Sequence, residues 1–270
     1  MSTEIPQRHV PRRRDWVFYG RDERCILGPR DKAFGATLPF HLAERRETSH
    51  VNNTHSHEAL LLIGPTGSGK TPLGELLEAD GLDGQRCVHF DFGANLRRVV
   101  ATNQPNEIIT RADVDYLRDV LQRGALLEDR DWPLAERILR SFLAQRHASV
   151  DTRVVLNGLP RHQGQARDLA HLLDIRTVVH LRCSPETVLA RIAQDTGGDR
   201  QHRADDDTDA VRCKLRIFAE QTEPLIDYYR QRSAQVICID VTATMTPRQM
   251  WYALQTASNE LERSNTEPTS

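Results

Sequence analysis

Residues Gly64 to Thr71 read GPTGSGKT, a full G-x-x-x-x-G-K-[ST] pattern, with the apolar run Ala59-Leu60-Leu61-Leu62-Ile63 before it and the helix-like Leu73-Gly74-Glu75-Leu76-Leu77-Glu78 after it. Strand, glycine loop and helix in that order give the pattern a structural meaning that the letters alone lack. With no side chain at Gly64, Gly67 and Gly69, the N–H groups of the loop can curl around phosphate oxygens. The positive end of the following helix points at the same anion. Lys70 is expected to reach the β and γ phosphates, and the Thr71 hydroxyl to ligate Mg²⁺. Gly64, Pro65, Thr66, Gly67, Ser68, Gly69, Lys70 and Thr71 therefore form a candidate ATP site, with Mg²⁺ arriving alongside the nucleotide.

Base usage supports this reading. The 270-residue chain has three lysines, Lys32, Lys70 and Lys214, and one of them stands in the loop. A compact, strongly hydrated ammonium suits a phosphate cradle better than a wide guanidinium fork. Elsewhere composition mainly excludes. A net charge of −2 with both signs mixed offers no footprint for nucleic acid or an anionic membrane. No apolar run approaches a membrane span. The five cysteines, Cys25, Cys87, Cys183, Cys213 and Cys238, are scattered without a C-x-x-C pair. That argues against a disulfide framework or structural zinc and for a reducing, cytoplasmic setting. The N-terminus lacks a secretory apolar core, and its acidic residues argue against a transit peptide.

Three segments follow from the pattern. Residues 1–57 read as an N-terminal extension and linker: Arg12-Arg13-Arg14, then Trp16-Val17-Phe18-Tyr19, then a stretch broken by Gly20, Gly28, Pro29, Gly35 and Pro39, with no sustained period. This arm is open to two readings, a strap on the core or a site for a protein partner, and His50, His55 and His57 read as solvated. From 58 to 263, apolar runs at 58–63, 87–90, 153–157, 177–182 and 235–240 alternate with helical stretches. Such alternation predicts an α/β fold: a five-stranded parallel sheet between two layers of helices. The helical pattern between the second and third runs is longer than a plain crossover needs and predicts a small subdomain near 91–150. Residues 264–270 read as a disordered tail.

A second anion site is written just past two strands. His89-Phe90-Asp91-Phe92-Gly93-Ala94-Asn95-Leu96-Arg97 follows one, and Asn157-Gly158-Leu159-Pro160-Arg161 with Gln165 follows the other. Ligands of open α/β sheets bind at that edge, and Arg97 and Arg161 there can hold one phosphate by bidentate contacts. Taken together these stretches resemble the adenylate kinase family of nucleoside monophosphate kinases. NGLPR with Gln165 is similar to the family's D-G-[FY]-P-R and its glutamine; Phe92 to Arg97 is similar to T-G-D-x-L-R. Gly124-Ala125-Leu126-Leu127 resembles G-x-L-V. Arg203-Ala204-Asp205-Asp206 with Val211 to Leu215 resembles R-x-D-D and V-R-x-R-L, and Gln221 to Tyr229 is nearly Q-T-x-P-L-I-D-Y-Y. The resemblance spans roughly residues 58–262.

The resemblance implies a three-layer P-loop kinase fold with a nucleoside monophosphate subdomain and a short lid near 195–204, hinged at Gly197 and Gly198. It implies that ATP phosphates lie in the loop with Arg191 stacked on the donor adenine. Arg97, Arg161 and Gly158 would hold the monophosphate, with Gln165 reading its base. Arg203 and Lys214 would close over the transferring group beside Lys70 and Arg161 as the catalytic cations. Five departures fall in the site. Asn157 replaces an aspartate of the Mg²⁺ hydration shell, keeping its shape and losing its charge. Phe92 and Ala94 replace threonine and aspartate, and Phe92 either stacks on a base or fills core. Asp195 stands where an arginine is expected, and Lys214 replaces another arginine. These departures keep two alternatives open: a nucleotide-binding regulatory module with weak or no kinase activity, and a small-molecule kinase with a non-nucleotide acceptor.

Overall fold

A computed structural model describes residues 16–18, 27–29, 57–198 and 208–266. The chain divides into two units, residues 1–52 and 53–270. Within the first, β1 (Trp16–Phe18) pairs antiparallel with β2 (Leu27–Pro29). Sequence patterning gave no strand there, because three residues are too few to show a period. The rest of the expected arm, with its arginine triplet, His50, His55 and the suggested partner site, lies outside the described residues.

The second unit is built on β3 (His57–Ile63), β4 (Cys87–Asp91), β5 (Arg153–Asn157), β6 (Leu173–Arg182) and β7 (Gln235–Asp240). They lie in the order β4-β5-β3-β6-β7, with every neighbouring pair parallel. The central strand β3 is buried on both faces, which is why its apolar run is continuous rather than alternating. Alternate side chains still part company. Leu61 and Ile63 join Phe90, Leu156 and Val178 in one core, whereas Leu60 and Leu62 join Val155, Val179 and Ile239 in the other. Each fully buried leucine or isoleucine contributes about 1.5–3 kcal/mol.

Helices cover both faces, so the fold is a three-layer α/β sandwich. The second core is closed by α1 (Lys70–Asp80), through Leu73 and Leu77, and by α9 (Pro247–Thr266), through Met250 and Leu254. The first is closed by α2 (Phe92–Thr102), α3 (Arg111–Arg123) and α4 (Trp132–Gln145), the helices between β4 and β5, together with α5 (Gln163–Leu169) and α8 (Leu225–Arg230). Local chemistry fixes several of these starts. Asp91 caps α2 by accepting from the Ala94 N–H, and Thr110 with Asp113 forms a capping box on α3. Between β6 and β7 the chain adds α6 (Pro185–Gln194) and α7 (Thr208–Ile217), the latter running into a π-type turn at Phe218–Thr222.

Three boundaries differ from the sequence pattern. β6 begins at Leu173 rather than 177, because Leu173 to Arg176 alternates in burial and so lacks an apolar run. His57 opens β3 instead of belonging to a solvated linker, and its Nδ1 lies 2.9 Å from the Ser149 carbonyl. Helix α9 reaches Thr266, into the stretch expected to be a tail.

Candidate functional site

Sheet order places the ends of β4, β5 and β3 side by side, and one cleft opens beyond them. Gly64, Thr66, Gly67, Gly69, Lys70 and Thr71 line one side of it. Here the backbone sets the shape. Gly69 has φ 97° at the N-cap of α1, a left-handed conformation in which a side chain would also drive into Met250. A Cβ at Gly64 would lie 2.9 Å from the Leu181 carbonyl oxygen, so the loop runs against β6 with no room for one. Lys70 Nζ donates to the carbonyls of Gly64 and Pro65 at 2.6 and 2.7 Å, which holds the ammonium over the loop. Ser68 is fully buried beneath.

The opposite side is made of side chains. Arg97 from α2 and Arg161 from the segment after β5 line the same cleft as Lys70. Arg97 passes over Gly93, and Arg161 lies over Gly158 with Nε donating to the Gly158 carbonyl at 3.2 Å. Burial draws the Arg161 pKa down, Asp91 pushes it up, and Arg97 draws it down again. An anion shared by the two guanidinium groups would offset this repulsion. Lys214 from α7 adds a further cation. The π-type turn delivers Thr222, whose hydroxyl donates to the Arg161 carbonyl at 2.9 Å.

The adenylate kinase sequence model matches residues 62–234. The chain belongs to the adenylate kinase family. Among its relatives is the adenylate kinase of Synechococcus sp. WH7803, 33% identical over 194 residues, which span 70% of this chain and 92% of the relative. That of Xanthomonas campestris pv. campestris B100 is 31% identical over 180 residues, 64% of this chain and 86% of the relative. That of Deinococcus radiodurans is 32% identical over 146 residues, 48% and 74% respectively.

Within this adenylate kinase framework, several expected side chains make structural contacts of their own. Gln165 was expected to present an amide to a base. It is 2% exposed, accepts from the Arg161 N–H at 2.8 Å and donates to the Leu127 carbonyl at 3.0 Å, so both ends are committed to main chain. It braces the arginine segment against the 124–127 turn. Arg191 was expected to stack on a base. It is 2% exposed and donates to the carbonyls of Gly67, Thr242 and Met245 at 3.0, 2.8 and 2.8 Å. These bonds prop the phosphate loop from behind. Phe92 is 6% exposed and packs on Phe90, centroids 5.9 Å apart, with its remaining edge in the cleft wall. Asp195 ends α6 as its C-cap in a left-handed conformation. Arg203 lies outside the described residues, as do the lid positions from 199 onward.

Asp91 is the residue that sequence reasoning passed over. It ends β4 directly opposite Asn157 on β5. Its Oδ2 accepts from the Thr71 hydroxyl at 2.7 Å and from Asn157 Nδ2 at 2.9 Å, and its Oδ1 accepts from the Ala94 N–H at 2.8 Å. Asn157 Nδ2 also donates to Thr71 Oγ1 at 3.0 Å. Burial alone would raise the Asp91 pKa, but the hydrogen bonds from Ala94 and Thr71, with His89 and Arg97, outweigh it and hold the carboxyl below its ordinary value. The signal available in the sequence was a lone aspartate at the last position of a strand, one residue before the stretch that drew attention.

Proposed function

We propose that this chain is a nucleoside monophosphate kinase that moves the γ-phosphoryl group of ATP onto a nucleoside monophosphate. One observation supports the reading: a main-chain phosphate loop and two arginines, Arg97 and Arg161, line the same cleft. Phosphoryl transfer asks mainly for two phosphates held in line and for charge to be neutralised as it spreads over the transferring group. The loop amides, the α1 N-terminus and Lys70 would hold the donor phosphates. Arg97 and Arg161 would hold the acceptor phosphate, one of whose oxygens attacks the γ-phosphorus as the β–γ bridging bond breaks, giving ADP and a nucleoside diphosphate. Lys214 and Arg203 would close over the group in transfer.

The donor set at the end of β3, β4 and β5 fits Mg²⁺, since it offers the Thr71 hydroxyl oxygen and the Asp91 carboxylate, hard oxygen groups to both of which Asn157 Nδ2 donates. Mg²⁺ held there with ATP would supply charge neutralisation at the phosphates. The scattered, free cysteines support a cytoplasmic setting.

A coupled assay with ATP and Mg²⁺ across AMP, GMP, CMP, UMP and the deoxynucleotides tests the proposal. Turnover well above background with at least one acceptor is expected; none, from folded protein shown to bind ATP, would overturn it. The double commitment of Gln165 favours a second reading, an acceptor recognised by its phosphate and not by its base. Near-equal kcat/KM across all bases, or turnover only with non-nucleotide phosphorylated metabolites, would select that reading.

A further inference from the structure

Resting on the kinase reading, the geometry points to Asp91, and not the residue at 157, as the carboxylate that holds the water shell of the nucleotide-bound Mg²⁺ and orients Thr71 toward the ion. Thr71 is the hydroxyl that the loop pattern directs to the metal, and its proton goes to Asp91 Oδ2. With its proton fixed in this way and one lone pair taken by Asn157 Nδ2, the hydroxyl keeps its second lone pair for a cation. A carboxylate has roughly four acceptor positions. Ala94, Thr71 and Asn157 fill three at Asp91, which leaves one for a metal-bound water. Asp91 is also the one acidic side chain among the described residues lining the cleft, where Lys70, Arg97, Arg161 and Lys214 supply only positive charge.

The same contacts explain the amide at 157. Asn157 and Asp91 are direct partners across β4 and β5, and Asn157 Nδ2 lies 2.9 Å from Asp91 Oδ2. A carboxylate at 157 would meet that oxygen as a like charge, and the two could not both stay ionised without a cation between them. An amide donates to it instead. The register thus admits one carboxylate across this strand pair, and this chain carries it on β4.

Binding of Mn²⁺ to the protein saturated with a non-hydrolysable ATP analogue, followed by electron paramagnetic resonance, tests this directly. Asp91→Asn is expected to weaken Mn²⁺ by about 10–100-fold, the usual cost of losing an outer-shell partner. Its analogue affinity in EDTA should not weaken, and the asparagine still caps α2. Asp91→Asn combined with Asn157→Asp should recover most of the lost Mn²⁺ affinity. Asn157→Asp alone should lower Tm in EDTA and regain it with Mn²⁺ and the analogue. Mn²⁺ binding by Asp91→Asn equal to that of the unaltered chain would overturn the assignment, as would an unaltered complex that takes up no Mn²⁺. The readout needs no acceptor, so an Asp91 effect on Mn²⁺ together with absent turnover would count against the kinase reading while leaving this assignment standing.

Discussion

The two sides of the cleft are made of different material. The loop side is main chain, shaped by glycines at 64, 67 and 69 and propped by Arg191 from behind. The arginine side is side chain, with Arg97 and Arg161 brought from separate elements and the Arg161 main chain held by Gln165 and Thr222. A main-chain cradle depends on local backbone conformation and little on what surrounds it. A side-chain clamp depends on contacts between segments far apart in sequence, and so can be altered one contact at a time. The departures at Phe92, Ala94 and Asn157 lie on α2 and β5 and none within the loop itself, although Asn157 reaches Thr71 through its Nδ2.

The largest expected effect separates the sides by what it spares. Lys70→Ala should lower kcat/KM by about 10²–10³-fold or more for every acceptor alike, as loss of a transition-state donor does; steady-state kinetics across acceptors would read it. Arg161→Ala and Arg97→Ala should also cost about 10²-fold, but in acceptor kcat/KM, with the triphosphate Kd nearly unchanged by calorimetry. Arg161→Lys should recover little, because an ammonium cannot reproduce a bidentate fork. A matching loss of triphosphate affinity in the arginine variants would erase the distinction between the sides.

Smaller effects probe the supports. Gly69→Ala forces a side chain into a positive-φ position against Met250 and should cost about 1–3 kcal/mol in chemical denaturation, with weaker triphosphate binding. Gln165→Leu leaves the Arg161 N–H without its partner and the Leu127 carbonyl with only His162 Nε2 nearby, for about 1–3 kcal/mol. Its kinetic cost should fall on the acceptor KM.

The least effect comes from pH. His89 is buried against Gly74 of α1, under the loop side, and burial lowers its pKa despite the opposing pull of Asp91 and Glu78. The unfolded chain therefore binds the proton more readily. Stability should be unaffected by this group above its ordinary value of 6.5 and should fall as pH drops below it. Thermal melts from pH 7.5 to 5 should show the decline, and a shallower one in His89→Gln.

How much was legible in the chain follows from the same contrast. The loop was readable because its glycines announce a backbone shape within eight residues. The five strands were readable because burial on both faces makes apolar runs, and β6 was cut short where one face turns outward at Leu173 to Arg176. Gln165 and Arg191 were visible as polar residues at suggestive places. Their partners, however, are carbonyls 38 and 51 residues away, at Leu127 and Thr242. Asp91 looked like the end of a strand, and its charge gained meaning only beside Thr71 and Asn157.

The sequence by itself determined the sheet, its two helical layers and the phosphate loop, since each rests on local backbone preference and on the period of apolar residues. Tertiary structure alone decided which polar groups face the cleft and which are consumed in holding it. That choice depends on strand order and register, which bring the ends of β4, β5 and β3 together, and no spacing along the chain encodes those distances. Burial then sets the outcome: a polar group enclosed near a carbonyl must bond to it, whatever a motif suggests it is free to do.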